Sequence, residues 1–437
     1  MTFVIIMNIV SIIIILITMI QKKKLAKKEQ NICNFKMSRS NIEMQKVSEN
    51  LVSNKKILNF DLDDNELLKV DVETRDLICI GNVSKNNLKM QFSVMKGCDY
   101  YEIRSVPPLV TLKPGYACEF EIFIKPLCTC VTKENVLVTS MNLATGNFET
   151  AKIGIKIETE QTTKLNYREI IENNKLGEGS FGIVYKGQYR GNVVAIKRMK
   201  QLENNESGLD EFEKEVAMLD KFRCDYIIHF YGAVFIPSKV CMVTEFAAFG
   251  SLQDLMKHKK SEEIKMQLRI KFLLDASRGI QYLHENGILH RDIKPDNFLV
   301  LSLDLNEIVN AKLTDFGSSR NLNMLQTNMT FTKGVGTPTY MAPEILEQDK
   351  YTKSADVYSF AITMFETMSW KEAYSHNEFK FPWKIAEFVI NGNRLRKVDS
   401  FNDEQYELIS KCWEQDKKER ITIETAREKL ENMLNNS

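Results

Sequence analysis

The sequence predicts a multidomain chain in which a single transmembrane helix, an all-β sandwich and an α+β domain follow one another. Three observations predict this order. A mostly apolar run occupies residues 3–20, apolar and polar residues alternate in several segments between residues 88 and 157, and short motifs rich in glycine, lysine and aspartate follow residue 168. We place the anchor at residues 1–21, a basic linker at 22–54, the sandwich at 55–160 and the α+β domain at 168–433.

The composition excludes some classes of function. Of the 437 residues, 43% are hydrophobic and the formal net charge is +1, so the chain is not compositionally disordered and no nucleic-acid partner is predicted. Its nine cysteines include no pair of CxxC motifs at zinc-site spacing, which suits a reducing compartment. Cys128 and Cys130 stand two residues apart, and we interpret them as structural residues on one strand face, not as metal ligands.

The N-terminal segment has the length of a membrane anchor. Residues 3–20 contain only three polar residues and would form about 27 Å of helix. Basic residues before the run and a small-residue cleavage site, the marks of a secretory signal, are not present. Lysines at positions 22, 23, 24, 27 and 28 follow the run, which predicts a single-pass membrane protein with the rest of the chain in the cytoplasm. These lysines either attract anionic lipid or form an ordinary stop-transfer flank.

The middle of the chain has the pattern of an antiparallel sandwich. After the polar linker, apolar and polar residues alternate over 88–94, 118–124 and 153–157, the period of half-buried strands. With turn signals such as Pro114-Gly115, this region resembles the immunoglobulin-like major sperm protein fold. No residues in this region are spaced as in a catalytic motif. The region is therefore either a spacer or docking module for a protein partner, or a structural extension of the following domain.

A glycine-rich segment opens the third domain. Residues 177–184 fit G-x-G-x-x-G-x-V, which dinucleotide-binding folds also use. Lys197, at the end of V-A-I-K, follows Gly177 by 20 residues, which leaves room for a hairpin and not for the helix of a βαβ unit. Glycines would let the backbone close over phosphates, and Val184 and Ala195 have the size to cover an adenine ring. The candidate phosphate-binding residues are Gly177, Glu178, Gly179, Ser180 and Gly182.

Lys197 needs an anionic partner to stay fixed on its strand. The predicted amphipathic helix at 212–219 supplies Glu213 and Glu215, and we choose Glu215. Either glutamate taken alone would be a solvated charge, and the strand lysine upstream favours pairing.

Two further motifs follow in order. Residues 290–297 read H-R-D-I-K-P-D-N, and Asp315 follows Asn297 by 18 residues in an Asp-Phe-Gly triplet. We expect the gap between them to form a hairpin near residues 303–310. His290 is interpreted as a packed structural residue, not as a base or metal ligand.

With these motifs, residues 168–433 resemble the tyrosine-kinase-like group of serine/threonine protein kinases, and the whole chain is similar to protist transmembrane kinases without their ectodomain. The resemblance implies a bilobal α+β protein kinase fold. It also implies ATP and Mg²⁺ as cofactors and transfer of the γ-phosphate to Ser/Thr hydroxyls of protein substrates, in signalling. Ala361 and Ile421 depart from the family pattern but lie away from the phosphates.

The resemblance assigns roles to the charged residues. Asp292 would take the hydroxyl proton, Lys294 would reach the transferring phosphoryl group, and Lys197 would contact the α- and β-phosphates while paired with Glu215. Asn297 and Asp315 would be the metal ligands.

The hinge is expected at residues 242–247. Thr244 would be the gatekeeper, Glu245 and Ala247 would offer backbone groups to the adenine, and Leu299 would close the ring from below.

Other expectations concern the surroundings of the site. A phosphate on Thr330 or Thr332 would order the activation segment by pairing with Arg291 or another cation. Glu344 is expected to pair with Arg420. Asp254 would either meet the ribose or start a helix.

Two alternatives to the protein kinase interpretation are compatible with parts of the sequence. A membrane-anchored pseudokinase or scaffold would act by docking alone and would be expected to lack Lys197, Asp292 or Asp315, all of which are present. A small-molecule kinase of the same fold is disfavoured by the Gly-Thr-Pro to Ala-Pro-Glu segment at 336–344, which builds a peptide platform.

Overall fold

The computed structural model describes residues 33–60, 67–93, 99–178, 182–200, 206–236, 238–321, 338–375 and 378–436. The chain divides into two compact units between Arg168 and Glu169, and each is described by itself. The predicted anchor at residues 1–21 lies outside the described residues. Within the described ranges, no helix has both the length and the apolar character that crossing a bilayer requires.

The first unit consists of β-strands arranged in two sheets. The strands are β1 (Asn34–Lys36), β2 (Gln45–Lys46), β3 (Leu51–Ser53), β4 (Ile57–Leu58), β5 (Thr74–Asn82), β6 (Leu88–Ser93), β7 (Tyr101–Val106), β8 (Val110–Leu112), β9 (Tyr116–Pro126), β10 (Val131–Asn142) and β11 (Phe148–Glu158). The first sheet has the order β1-β9-β5-β3-β2, with β7 also paired to β9, and the second has the order β4-β11-β10-β6-β8. Only β4 and β11 pair in parallel among these neighbours.

The two sheets enclose one apolar core. Alternate residues of β9 from Phe120 to Ile124 and of β11 from Ile153 to Ile157 are buried and belong to the same cluster, because successive side chains of a strand point to opposite faces. Cys128 and Cys130 are buried in that cluster, which supports a structural role. The predicted sandwich is confirmed, and its assignment to the major sperm protein fold stays a prediction.

The sandwich begins earlier in the chain than predicted. Residues 34–53 contribute β1, β2 and β3 to the first sheet, and Leu51 and Ser53 are fully buried. The predicted linker at 22–54 is therefore wrong for this stretch. Strands of two or three residues are too short to show a period of two, and their partners β5 and β9 are distant in sequence.

The second unit starts with an antiparallel sheet of five strands in the order β12-β13-β14-β16-β15. The strands are β12 (Ile170–Glu178), β13 (Gly182–Tyr189), β14 (Asn192–Met199), β15 (Phe230–Val234) and β16 (Cys241–Glu245). Helix α1 (Glu206–Leu219) connects β14 to β15 and buries Phe212, Val216 and Leu219. Their spacing of four and three residues places them on one helix face.

The remainder of this unit is mainly helical. Its helices are α2 (Leu252–His258), α3 (Met266–Glu285), α4 (Pro343–Leu346), α5 (Lys353–Ser369), α6 (Pro382–Ile390), α7 (Asp403–Cys412) and α8 (Ile423–Asn435). Between α3 and α4, β17 (Ile288–Leu289) pairs with β20 (Arg320–Asn321), and β18 (Phe298–Val300) pairs with β19 (Ala311–Leu313). Residues 301–310 join β18 to β19, as the predicted hairpin requires. The predicted α+β fold of this unit is confirmed.

Candidate active site

The five-stranded sheet and α1 position the first pair of charges. Lys197 lies on β14 directly opposite Val184 of β13, and its Nζ is 3.9 Å from a carboxylate oxygen of Glu215 on α1. The predicted pairing is confirmed as an ion pair, although the distance is too long for a hydrogen bond. Burial raises the pKa of Glu215; the charge of Lys197 opposes this rise and that of Asp315 adds to it.

Gly182 of the glycine-rich hairpin occupies a position where the structure leaves no room for a side chain. A side chain on Gly182 would place its Cβ 2.2 Å from the carbonyl oxygen of Arg198 on β14. On Gly177, a Cβ would have nothing within 4 Å. The need for glycine at 182 therefore arises from close strand pairing as well as from any approach of phosphate.

The tip of this hairpin includes three predicted phosphate-binding residues. Gly179 and Ser180 lie outside the described residues. Glu178 ends β12, and hydrogen bonds from Lys175 and Lys200 lower its pKa to about 2. Its carboxylate is thus engaged by lysines of the same sheet and would not itself attract phosphate.

The loop between β17 and β18 carries the central group of the site. Lys294 Nζ lies 2.8 Å from Asp292 Oδ2. The short 3₁₀ turn Pro295–Asn297 brings the Asn297 side chain back, so that Nδ2 donates to the Asp292 carbonyl at 2.6 Å and to Oδ2 at 3.1 Å. Because this amide nitrogen faces Asp292, the amide oxygen of Asn297 is left to ligate a cation.

Asp315 follows β19 in a left-handed backbone conformation, with φ of 60°, which is costly for any residue except glycine. The next side chain, Phe316, is buried and packs edge-on against His290, with ring centroids 5.3 Å apart. His290 is fully buried, and its Nε2 lies 3.0 Å from the Thr314 carbonyl oxygen. The structural interpretation of His290 is confirmed.

The predicted metal ligands have suitable chemistry. Asn297 and Asp315 present oxygen donors, which a hard divalent cation prefers, and both line the same cleft. No group of three or more His, Cys, Asp or Glu side chains suited to a metal occurs among the described residues, so phosphate oxygens and water would complete the shell. A divalent cation held by Asn297 and Asp315 would neutralise negative charge on phosphate groups in the cleft.

A buried aspartate that the sequence analysis does not single out holds the loop between β17 and β18, which is called the catalytic loop below. Asp356 of α5 is fully buried and accepts hydrogen bonds from the backbone amides of His290 and Arg291 at 3.1 and 3.0 Å and from the Tyr351 hydroxyl at 2.8 Å. His284 Nε2 lies 2.9 Å from the same carboxylate. Burial alone would raise the pKa of Asp356, but these hydrogen bonds and nearby charges outweigh it and lower the pKa. An aspartate near the start of an otherwise apolar helix is the signal that could have identified it.

Several of the groups described above line one cleft of about 630 Å³. Among the predicted site residues, its lining contains Gly182, Val184, Lys197, Asp292, Lys294, Asn297 and Asp315. Glu215 reaches it through Lys197. The other described predictions, Gly177, Glu178, Ala195, Thr244, Glu245, Ala247 and Leu299, are not part of this lining.

The predicted hinge has defined contacts. Thr244 on β16 stands opposite Ala195 on β14. The Glu245 amide donates to the His229 carbonyl at 2.8 Å, and Lys312 holds the Glu245 carboxylate at 2.7 Å. The amide and the carboxylate of Glu245 are therefore both engaged within the protein, and its contact with adenine stays a prediction.

The residues after the hinge are placed by α2. Asp254 closes a capping box with Ser251, whose hydroxyl donates to the Asp254 carboxylate at 2.7 Å. This supports the helix-start interpretation of Asp254 over the ribose contact. Ala247 is buried, and the half-buried Leu299 forms an isolated antiparallel β-bridge with Ser251.

The cleft also has a wall that sequence reasoning missed. Its residues are Gln253, Asp296, Thr339, Tyr340, Glu366, Glu372 and Tyr374. Glu366 of α5 is 3% exposed and accepts hydrogen bonds from the Tyr340 hydroxyl at 2.8 Å and the Ala373 amide at 2.9 Å. Burial raises its pKa to about 7, and the charges of Glu372 and Asp296 add to the rise. A single glutamate within an apolar helix is the available sequence signal.

The segment before α4 was predicted to be regulatory. Thr330, Thr332 and Thr337 lie outside the described residues, so the phosphorylation hypothesis stays a prediction. Glu344 accepts two hydrogen bonds from Arg420, at 2.6 and 2.7 Å, and this predicted pair is confirmed.

The charges of the cleft indicate its chemistry. Lysines and two oxygen donors for a cation surround a carboxylate that can take a proton, which suits transfer of a phosphoryl group from a nucleotide. Fold and site thus define a phosphotransferase. The comparison with protein families specifies the kind: residues 170–430, more than half of the chain, match the protein kinase domain, and the chain belongs to the protein kinase family.

Several relatives carry serine/threonine kinase names. The chain is 31% identical over 364 residues to "Probable serine/threonine-protein kinase gdt2" of Dictyostelium discoideum, covering 82% of this chain and 21% of that protein. It is 32% identical over 289 residues to "Serine/threonine-protein kinase STY17" of Arabidopsis thaliana, covering 66% and 48%. The chain spans about a fifth of the length of the Dictyostelium relative. The prediction of a protein kinase is confirmed, and these names support the serine/threonine class.

Proposed function

We propose that this chain transfers the γ-phosphate of MgATP to serine and threonine hydroxyls of proteins. The observation that carries the proposal is that Asp292, Lys294, Lys197, Asn297 and Asp315 line one cleft. Residues from β14, two loops and a short 3₁₀ turn meet there, and such convergence is what positioning a nucleotide beside a hydroxyl requires.

Each side chain has a task in the proposed reaction. Asp292 accepts the proton of the attacking hydroxyl. Lys294, 2.8 Å from Asp292 Oδ2, carries positive charge beside the reacting oxygen, where it can stabilise negative charge on the phosphoryl group. Lys197 contacts the phosphates, and Glu215 restricts its position.

The test is phosphate incorporation from labelled ATP and magnesium into a general protein acceptor by the full chain. Lys197→Met and Asp292→Asn should each abolish incorporation. Lys418→Met and Asp399→Asn, at exposed positions, are matched controls and should retain it. Label should appear on serine and threonine in phosphoamino-acid analysis.

Two results would contradict the proposal. If the Asp292→Asn protein incorporated as much phosphate as the parent, Asp292 would not be the catalytic base. Label confined to tyrosine would refute the serine/threonine class. Thermal unfolding of each variant separates lost chemistry from lost folding.

We also propose that the N-terminus anchors the kinase to a membrane, with the remaining chain in the cytoplasm and a role in signalling. The apolar run at 3–20 and the lysines that follow it support this proposal. Resistance of the membrane-bound chain to alkaline carbonate extraction is the expected result, and full release into the supernatant would contradict it.

A further inference from the structure

The second sheet of the sandwich has a positively charged outer face. Lys89 on β6, Lys133 on β10, and Lys152 and Lys156 on β11 are exposed, and each has the parity opposite to the core-facing residues of its strand. These four residues are named the lysine face. Their side chains point away from the core on three adjacent strands.

The charge of the lysine face is largely uncompensated. Glu158 is the carboxylate that pairs with it, 3.3 Å from Lys156. Lys89, Lys133 and Lys152 make no ion pair with another described residue. Lys133 stands directly opposite Lys156 in the ladder between β10 and β11, and like charges in this position destabilise a sheet.

On the first sheet, in contrast, both arginines of the outer face form ion pairs. On its outer face Arg75 of β5 pairs with Glu121 of β9 at 3.3 Å, and Arg104 of β7 pairs with Glu73 and lies over the ring of Phe123. The arginines of the first sheet thus have acidic partners, whereas three of the four residues of the lysine face make no ion pair with another described residue. A repulsive set of like charges on one sheet face indicates an anionic partner.

We propose that the lysine face binds the anionic lipid surface of a bilayer. Lys152 and Lys156 are four residues apart on one strand, or about 13 Å, and Lys89 is two strands away from them, so the charges are spread over three strands. At one end of this area Phe148, 71% exposed, stands opposite Met141, which stands opposite Lys89. An exposed aromatic ring beside lysines suits the polar boundary of a bilayer and favours lipid over a purely acidic peptide.

The proposed N-terminal anchor would keep the sandwich within reach of the bilayer. The sandwich starts at Asn34, 14 residues after the end of the apolar run at residue 20, so the first strand can be at most about 50 Å from the membrane. A lysine near an anionic leaflet contributes about fivefold to membrane partitioning, and three unpaired lysines together contribute roughly a hundredfold.

The test measures lysine accessibility in the full chain. The protein is reconstituted into vesicles of phosphatidylcholine alone or with added phosphatidylserine, and initial acetylation rates are measured at single lysines by mass spectrometry. With phosphatidylserine, rates at Lys133 and Lys152 should fall about fivefold or more. Lys46 on the first sheet should react equally in both vesicles. Salt at about 1 M shortens the screening length to about 3 Å and should remove the protection.

A Lys133→Gln/Lys152→Gln variant should lose the protection that remains at Lys89, whereas Lys46→Gln should keep it. Equal rates at the lysine face in both kinds of vesicle would overturn the proposal, whether or not the chain is anchored. Protection by soluble polyglutamate without protection by phosphatidylserine vesicles would also overturn it, because it would indicate an acidic protein segment as the partner. Each of these results is independent of kinase activity.

Discussion

Glu366 makes a contribution to stability that depends on pH. Its carboxyl is 3% exposed, and burial raises its pKa from an ordinary 4.5 to about 7, because two hydrogen bonds only partly replace lost hydration. A rise of this size corresponds to about 3 kcal/mol. Since the folded state holds the proton more tightly, this stability is present in full below pH 4.5 and is lost as pH rises through about 7.

Glu366→Gln should remove this pH dependence. A glutamine is neutral at both ends of the range, and its amide can accept from the Ala373 amide while donating to the Tyr340 hydroxyl. The free energy of unfolding of the variant relative to the parent should therefore increase by about 2 kcal/mol between about pH 5 and about pH 8, where most of the effect falls.

Urea denaturation followed by tryptophan fluorescence measures this difference. The three tryptophans of the chain, Trp370, Trp383 and Trp413, all lie in the second unit, so the signal reports the unit that contains Glu366. Glu387→Gln, at an exposed position of α6, is the matched control and should show no such pH dependence. A stability difference for Glu366→Gln that stays constant with pH would refute a buried acid with a raised pKa.

Three further substitutions test the supports of the site. Asp356→Ala removes the acceptor of two catalytic-loop amides and should lower kcat on the order of 10²-fold, with a smaller change in the KM for ATP. Steady-state kinetics measures both constants, and an unchanged kcat would contradict the prediction. Glu344→Gln leaves the buried guanidinium of Arg420 without its partner and should cost about 3–5 kcal/mol in urea denaturation, so a loss near zero would show the pair to be unimportant. Gly182→Ala sets a Cβ 2.2 Å from a backbone carbonyl and should destabilise the unit by about 1–3 kcal/mol and lower Tm. Gly177→Ala, with nothing within 4 Å, should not lower Tm, and equal shifts for both glycines would count against the steric explanation.

The part of the site that is local in sequence could be predicted. Asp292, Lys294 and Asn297 lie within six residues, and one short turn brings their side chains together, so a motif contains nearly all of their geometry. Asp356 and Glu366 reach the same region from a helix later in the chain. Only tertiary packing places them there, and each appears in the sequence as one acid in an apolar segment.

The same reasoning explains the error in the first unit. The longer strands β6, β9 and β11 have enough residues to show their alternation, which the sequence analysis identifies over 88–94, 118–124 and 153–157. The short strands β1 to β3 have no period of their own, and the polar residues between them resemble a linker. Their assignment depends on register with β5 and β9, which no local pattern contains.

Helix α5 supports two parts of the active site. Asp356 near its start binds the backbone of the catalytic loop, and Glu366, ten residues and about 15 Å further along the axis, forms part of the cleft wall that also contains Tyr340 and Tyr374. Between them, Phe360, Ile362 and Met364 are fully buried. Because a close-packed interior yields little to local change, the distance between the catalytic loop and this wall is set by one rigid element.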